Sequence, residues 1–158
     1  MGACPPIIFP PVDFSLTEDQ DRLREAVRDF ARREVAPHAA RWDREAAFPA
    51  ETFRALAGLG LLGVRVPEAY GGAGLGPVET ALVVEEIAAA DASLAVLYSV
   101  HATLVCSVLV RHAPEDVRRA ALPDLASGKR IGCYALQNGF FPCFQTHLPY
   151  IPNGDDLL

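Results

Sequence analysis

ASLAVLYSVHATLVCSVLV, residues 92–110, contains no Asp, Glu, Lys or Arg. A run of that length and polarity could in principle cross a bilayer. His101, Ser93, Ser99, Thr103 and Ser107 interrupt it, and charged sequence surrounds it on both sides. A helix that is apolar on every side is also what a globular bundle places at its centre. The stretch is therefore read as the central helix of a soluble all-α domain, with no membrane span.

Working back towards the N-terminus, the neighbouring segments show the amphipathic pattern that a central helix needs around it. Ser15 with Glu18, and Thr17 with Gln20, both have capping-box spacing. Leu16, Leu23, Val27, Phe30 and Ala31 then recur at helical intervals. Pro37 is expected to kink or end this first helix, because it lacks an amide and crowds the preceding turn. His38 to Ala46 adds a turn or two with Trp42 inward. Pro49 suits the start of the next helix, which carries Phe53, Leu56 and Ala57 on one face and stops at Gly58-Leu59-Gly60. Val64 to Pro67 is expected to be extended, and Tyr70-Gly71-Gly72-Ala73-Gly74 is a loop. Pro77 opens a helix with Val78, Ala81, Leu82, Glu85 and Ile87, running to Asp91.

Beyond the central stretch, Pro114 opens a helix through Val117, Ala121 and Leu125, with Pro123 bending it and Gly128 capping it. Ile131, Cys133 and Ala135 alternate with Gly132, Tyr134 and Leu136, as in a short terminal strand. After Leu136 arginine and alanine vanish, and both asparagines of the chain, Asn138 and Asn153, appear beside Phe140, Phe141 and Phe144. The expected organisation is a loose Pro-rich arm (1–13), a helical domain (14–130), a strand-forming start of a further layer (131–136) and an unrelated tail (137–158), of the kind a frameshift would produce. The fold class is all-α, an orthogonal bundle of five to six helices.

The formal net charge is -6, and the arginines alternate with acids, as in Arg22, Arg24, Glu25, Arg28 and Asp29. Counterion release needs clustered cations, so nucleic acid is excluded as a partner. Cys4, Cys106, Cys133 and Cys143 show neither disulfide-framework nor zinc spacing, and the start carries no secretory or transit signal. The cytoplasm is the expected location. Gly58-Leu59-Gly60-Leu61-Leu62-Gly63 matches a dinucleotide fingerprint by letter. It follows a helix and precedes an extended segment, the reverse of the order that binding requires. Glu85-Glu86 point about 100° apart on a helix and cannot flank one atom; one is expected to be solvated, the other in a surface ion pair. His101 reads as a satisfied core histidine. No catalytic group and no metal site can be assembled from spacing.

A series of segments in order nevertheless resembles the acyl-CoA dehydrogenases. Phe14-Ser15-Leu16-Thr17-Glu18-Asp19-Gln20 is similar to the family's opening helix, and Val35-Ala36-Pro37, Trp42-Asp43-Arg44 and Phe48-Pro49 follow at family spacing. Val66-Pro67-Glu68-Ala69-Tyr70-Gly71-Gly72-Ala73-Gly74 resembles the family's P-E-x-Y-G-G-x-G loop. Glu85-Glu86-Ile87-Ala88 and the run Ser127 to Leu136 complete the match, which covers residues 13–136. The resemblance implies an N-terminal helical domain, followed in the family by a β-domain and a C-terminal bundle, with FAD-dependent α,β-dehydrogenation of acyl-CoA thioesters in fatty acid metabolism. Tyr134, Ala135 and Leu136 would align with the strand that begins the flavin contact. Val96, Leu97 and Val100 would align with the wall of the acyl-chain pocket. The family's T-E-P-x-x-G-S-D segment and its base are missing, so this chain is expected to be inactive and to hold no FAD alone. Self-association through uncovered apolar surface is the expected consequence. The rival reading is a non-catalytic helical binding or scaffold module.

Overall fold

A computed structural model describes residues 15–133, which are mostly helical and contain no strand. The order is α1 (Glu18–Phe30), a π-helical segment (Ala31–Val35), α2 (Ala36–Glu45), α3 (Ala50–Gly58), a 3-10 turn (Glu68–Tyr70), α4 (Pro77–Ala88), α5 (Ala92–Ser99), a second π segment (Val100–Cys106), α6 (Ser107–His112) and α7 (Glu115–Ala126). The bundle is built by α4 packing between α1 and α5, while α7 packs on α6 and on the 3-10 turn.

Of the two capping registers, Thr17 with Gln20 is the one that forms. The Gln20 amide donates to Thr17 Oγ1 at 3.2 Å, and the Thr17 amide donates to Gln20 Oε1 at 3.0 Å. Val27, Phe30 and Ala31 are buried, as the periodicity requires, with Leu23 and Trp42 packed against the same core.

Pro37 does not end the helix. The Ala36 amide reaches back five residues to the Ala31 carbonyl, so the backbone is loosened into a π turn just ahead of the proline. Pro37 then falls in the first turn of α2, where a missing amide breaks no obligatory bond.

Other boundaries also shift. Pro49 caps α3 from outside rather than beginning it. Residues 64–66 wind through turns and only Pro67 is extended; the turns are closed by the Val64 amide on Leu61 O (3.3 Å) and the Val66 amide on Gly63 O (3.0 Å). That tight winding depends on Gly72, where an added Cβ would meet Val66 O, Val66 Cβ and Gly63 O at 2.1, 2.4 and 2.6 Å. In α4 the inward face is Thr80, Val83, Glu86 and Ile87 with Leu82, whereas Val78 and Ala81 are exposed. Asp91 lies outside α4 and caps α5, accepting from the Leu94 amide at 2.7 Å.

The expected strand does not form in its described part, Ile131 to Cys133; among the described residues no other strand is present to complete a ladder. Ile131 and Gly132 are buried instead against the helices, Gly132 so closely that a Cβ would meet Val105 Cγ1 at 2.6 Å.

One core cluster gathers Phe53, Leu56, Leu62, Ile87, Leu94 and Tyr98 with their neighbours from α1. A second joins Val66, Cys106 and Leu109 to Leu122 and Leu125 of α7. The central helix runs unbroken from Ala92 to His112 and belongs to both. It is long and apolar enough to cross a membrane by composition, but 44% of its most apolar window is buried inside the bundle.

Candidate functional site: the uncovered face of the central helix

The inward side of this helix is fully committed. The Tyr98 hydroxyl donates to Leu61 O at 3.0 Å, and burial raises its pKa above the ordinary tyrosine value. His101 has no exposed surface; its Nδ1 accepts the Gly132 amide at 3.0 Å, and its ring meets Phe53 edge-on at 5.6 Å. Burial pushes His101 down to about 4, with backbone groups of Leu125 and Leu62 pulling weakly the other way. Its Nε2 lies 3.8 Å from Cys106 Sγ, a thiol that burial pushes up to about 12. A neutral histidine sealed beside a protonated thiol has no solvent path and no substrate to serve. It is the satisfied core histidine that the sequence suggested.

The outward side is different. Val96 is 64% exposed and Leu104 43%, while Leu97 and Val100 are half-buried. The helix expected to be enclosed on all sides is therefore covered on one side only among the described residues. The three residues expected to face an acyl chain, Val96, Leu97 and Val100, stand together on or beside this open stripe, with Leu97 also touching the core. The π segment of the same helix begins at Val100. Thr103 Oγ1 donates to Ser99 O at 2.6 Å and Ser107 Oγ to Ala102 O at 3.1 Å, so those hydroxyls satisfy the backbone rather than facing a ligand. Beside the stripe, a surface groove of about 650 Å³ runs between α4 and α6, with Arg65 and Arg111 among its walls.

Glu86 departs from the expected surface ion pair. It is only 7% exposed, and Arg28 grips it with both guanidinium arms, Nε to Oε2 at 2.9 Å and Nη2 to Oε1 at 2.6 Å. The hydrogen bond from Arg28 holds the carboxyl below its ordinary range against the opposing effect of burial. Nothing in the local sequence reveals this pair, since its members are 58 residues apart. Glu85 is exposed, as expected. No cluster of metal-ligating side chains occurs among the described residues.

Tyr134, Ala135 and Leu136 lie outside the described residues. The residues that are described do not make a flavin site. The stripe offers methyl groups and hydroxyls already bonded to carbonyls, and the buried polar atoms without a partner are Arg24 Nε and Arg118 Nε, on other helices.

Residues 17–129 match the family model for the acyl-CoA dehydrogenase N-terminal domain. The chain belongs to the acyl-CoA dehydrogenase family. It is 37% identical over 149 residues to a probable acyl-CoA dehydrogenase of Bacillus subtilis, YngJ, covering 93% of this chain and 39% of that one. To the human mitochondrial short-chain specific acyl-CoA dehydrogenase it is 39% identical over 121 residues, 77% of this chain and 29% of the relative. Among solved structures, butyryl-CoA dehydrogenase from Megasphaera elsdenii superposes with a TM-score of 0.72 at 27% identity, covering 81% of this chain and 35% of that one. Glutaryl-CoA dehydrogenase from Mycobacterium smegmatis does so at 0.68 and 33% identity, covering 73% and 30%. The chain thus spans less than two fifths of these acyl-CoA dehydrogenases. The YngJ alignment leaves about eleven residues of this chain outside it, fewer than residues 137–158 comprise, so it reaches into the tail.

Proposed function

We propose that the chain supplies the N-terminal helical layer of an FAD-dependent enzyme that oxidises acyl-CoA thioesters between the α and β carbons. The observation that carries this reading is the open stripe of Val96, Leu97, Val100 and Leu104 on a helix inside the family-matched region. Methyl-bearing side chains on a rigid helix suit an acyl chain, which asks only for dry, shaped contact. Here the stripe forms one wall and the rest of a longer protein forms the other. FAD would supply the hydride acceptor when bound. By the resemblance, its contacts begin at Tyr134 to Leu136, and the base that takes the α proton belongs to a later segment.

Alone, residues 14–130 form the helical domain and the chain is catalytically silent, holding no stoichiometric FAD. The uncovered stripe favours association of the isolated chain with itself. The cytoplasm is the proposed location; the human relative is named for the mitochondrion. The reach of the YngJ alignment past residue 136 favours a tail that keeps part of the family's own continuation over one taken wholly from another frame.

The test is a chimera in which residues 15–133 replace their counterparts in YngJ. Flavin absorbance and acyl-CoA-dependent dye reduction are expected, with Val96→Asp and Val100→Asp raising KM for acyl-CoA while flavin content stays unchanged. A flavin-loaded, active chimera indifferent to both substitutions would remove the stripe from the acyl site. A purified isolated chain carrying one equivalent of flavin would overturn the silent reading.

A further inference from the structure

Among the described residues, the end of α2 holds the one non-glycine residue with positive φ. Ala46 adopts φ 49°, ψ 37°, the left-handed region that a side chain with a Cβ occupies at a cost. The Ala46 amide closes on Asp43 O at 3.3 Å and the Ala47 amide on Trp42 O at 2.9 Å, so the chain turns sharply and presents Phe48, 51% exposed. Two cavities, of about 620 and 470 Å³, share Trp42, Ala47, Phe48 and Pro49. Trp42 is braced from behind by His38, ring to ring at 5.7 Å, and packs against the core.

Glu34, Glu45 and Glu51 line the first cavity; Asp43 and Asp91 line the second. Arg41 is the one guanidinium among these walls. Glu18, Asp19, Asp21, Glu86, Glu115 and Asp124 are all paired with the chain's own Arg or Lys. Among the described residues, Glu34, Asp43, Glu45 and Glu51 have no such partner. The cleft therefore combines two aromatic rings with more carboxylates than its one guanidinium can balance.

We infer that this cleft docks an extended basic segment of another protein, its Arg or Lys stems lying on Trp42 and Phe48 and its cations facing Glu34, Glu45 and Glu51. Aromatic faces attract guanidinium and ammonium groups, whose aliphatic stems bury against rings while the charge stays near carboxylates. The two joined cavities suit a segment longer than one residue. Nucleic acid is repelled by the same carboxylates. A second copy of this chain, with formal net charge -6, is disfavoured for the same reason. The second cavity shares Leu97 with the stripe, but the rings and carboxylates that would hold the segment do not belong to it.

Trp42 is the only tryptophan in the chain, so its emission reports directly on the cleft. An oligo-arginine of about eight residues, the length of common basic motifs, titrated at low ionic strength should change that emission saturably, and oligo-glutamate should not. The triple variant Glu34→Gln, Glu45→Gln, Glu51→Gln should weaken binding roughly tenfold, the sum of a few modest surface attractions. Phe48→Ala, an exposed position, should weaken it without changing the melting curve. The control variant Glu25→Gln, Asp29→Asn, Asp116→Asn removes as much charge where none of these cavities lies, and should leave binding intact. Equal weakening by both triple variants would reduce the effect to net charge and overturn the site. So would an unmoved Trp42 emission, or a change driven by protein concentration alone, which would mean a second copy occupies the cleft.

Discussion

Acidifying the solution from neutrality to about pH 5 should weaken the fold through one residue, His101. The ring is fully buried, accepts a hydrogen bond at Nδ1 and is held at about 4, against 6.5 for a free histidine. An imidazolium there would lose its hydration and turn an acceptor into a second donor facing the Gly132 amide. Between those two pH values the unfolded chain binds a proton that the folded chain refuses, so stability is complete above about 6.5 and falls as pH drops towards 4. At 1.36 kcal/mol per unit, the loss is about 2 kcal/mol by pH 5 and about 3 kcal/mol by pH 4. Glu79, Glu86 and Glu115, all held below their ordinary 4.5, keep their contributions above that value and lose them only below it. The interval from pH 6.5 to 4.5 therefore separates the histidine from these three carboxylates. Urea unfolding followed by helical circular dichroism at several pH values would measure the slope, and His101→Gln, which retains an acceptor for Gly132, should flatten it whatever it does to absolute stability. A wild-type profile that is flat over this interval, or an equal slope in the variant, would refute the reasoning.

Gly72→Ala should destabilise by about 3 kcal/mol or more, because its methyl would collide with backbone that cannot retreat; denaturant melts would show it, and a cost under about 1 kcal/mol would mean the loop moves freely. Arg28→Met should lower the melting temperature by stranding a buried Glu86 carboxylate, while Arg28→Met with Glu86→Leu should recover most of the loss; a double variant as unstable as the single would deny that the stranded charge matters. Leu94→Ala, on the buried side of the central helix, should cost about 2–5 kcal/mol, whereas Val96→Asp, two residues on, should stay within about 0.5 kcal/mol. Equal costs measured in urea would contradict the one-sided burial of that helix.

What the sequence made legible was periodic and local. The Thr17–Gln20 cap, the inward Val27 and Phe30, and the glycine loop at Gly71 to Gly74 follow from residue spacing and from the conformations that glycine permits. The family emerged from the order of short motifs. Features set by distant partners stayed hidden: the Arg28–Glu86 pair, the helical continuation through Pro37, and the inward face of α4, where burial from two sides blurs the stripe that amphipathicity would leave. Absence of charge in the Ala92–Val110 stretch identified the helix but not which of its sides is covered, because a wall for an acyl chain and a packed core want the same residues. His101 was legible as core from its apolar setting; its donor, the Gly132 amide, was not.

The π turn at Ala31–Val35 carries a consequence for how this rod tolerates change in length. With one residue more per turn than the helix on either side, it works as a slip coupling between α1 and α2. Deleting a single residue there would restore ordinary winding and, because the wide turn already absorbs that residue, leave the downstream segments in roughly their present phase. Trp42 would keep its ring on the core, as the Thr17 cap and the Arg28 contact upstream would keep their places. The five residues Ala31 to Val35 thus buffer the second half of this rod against a one-residue change in length.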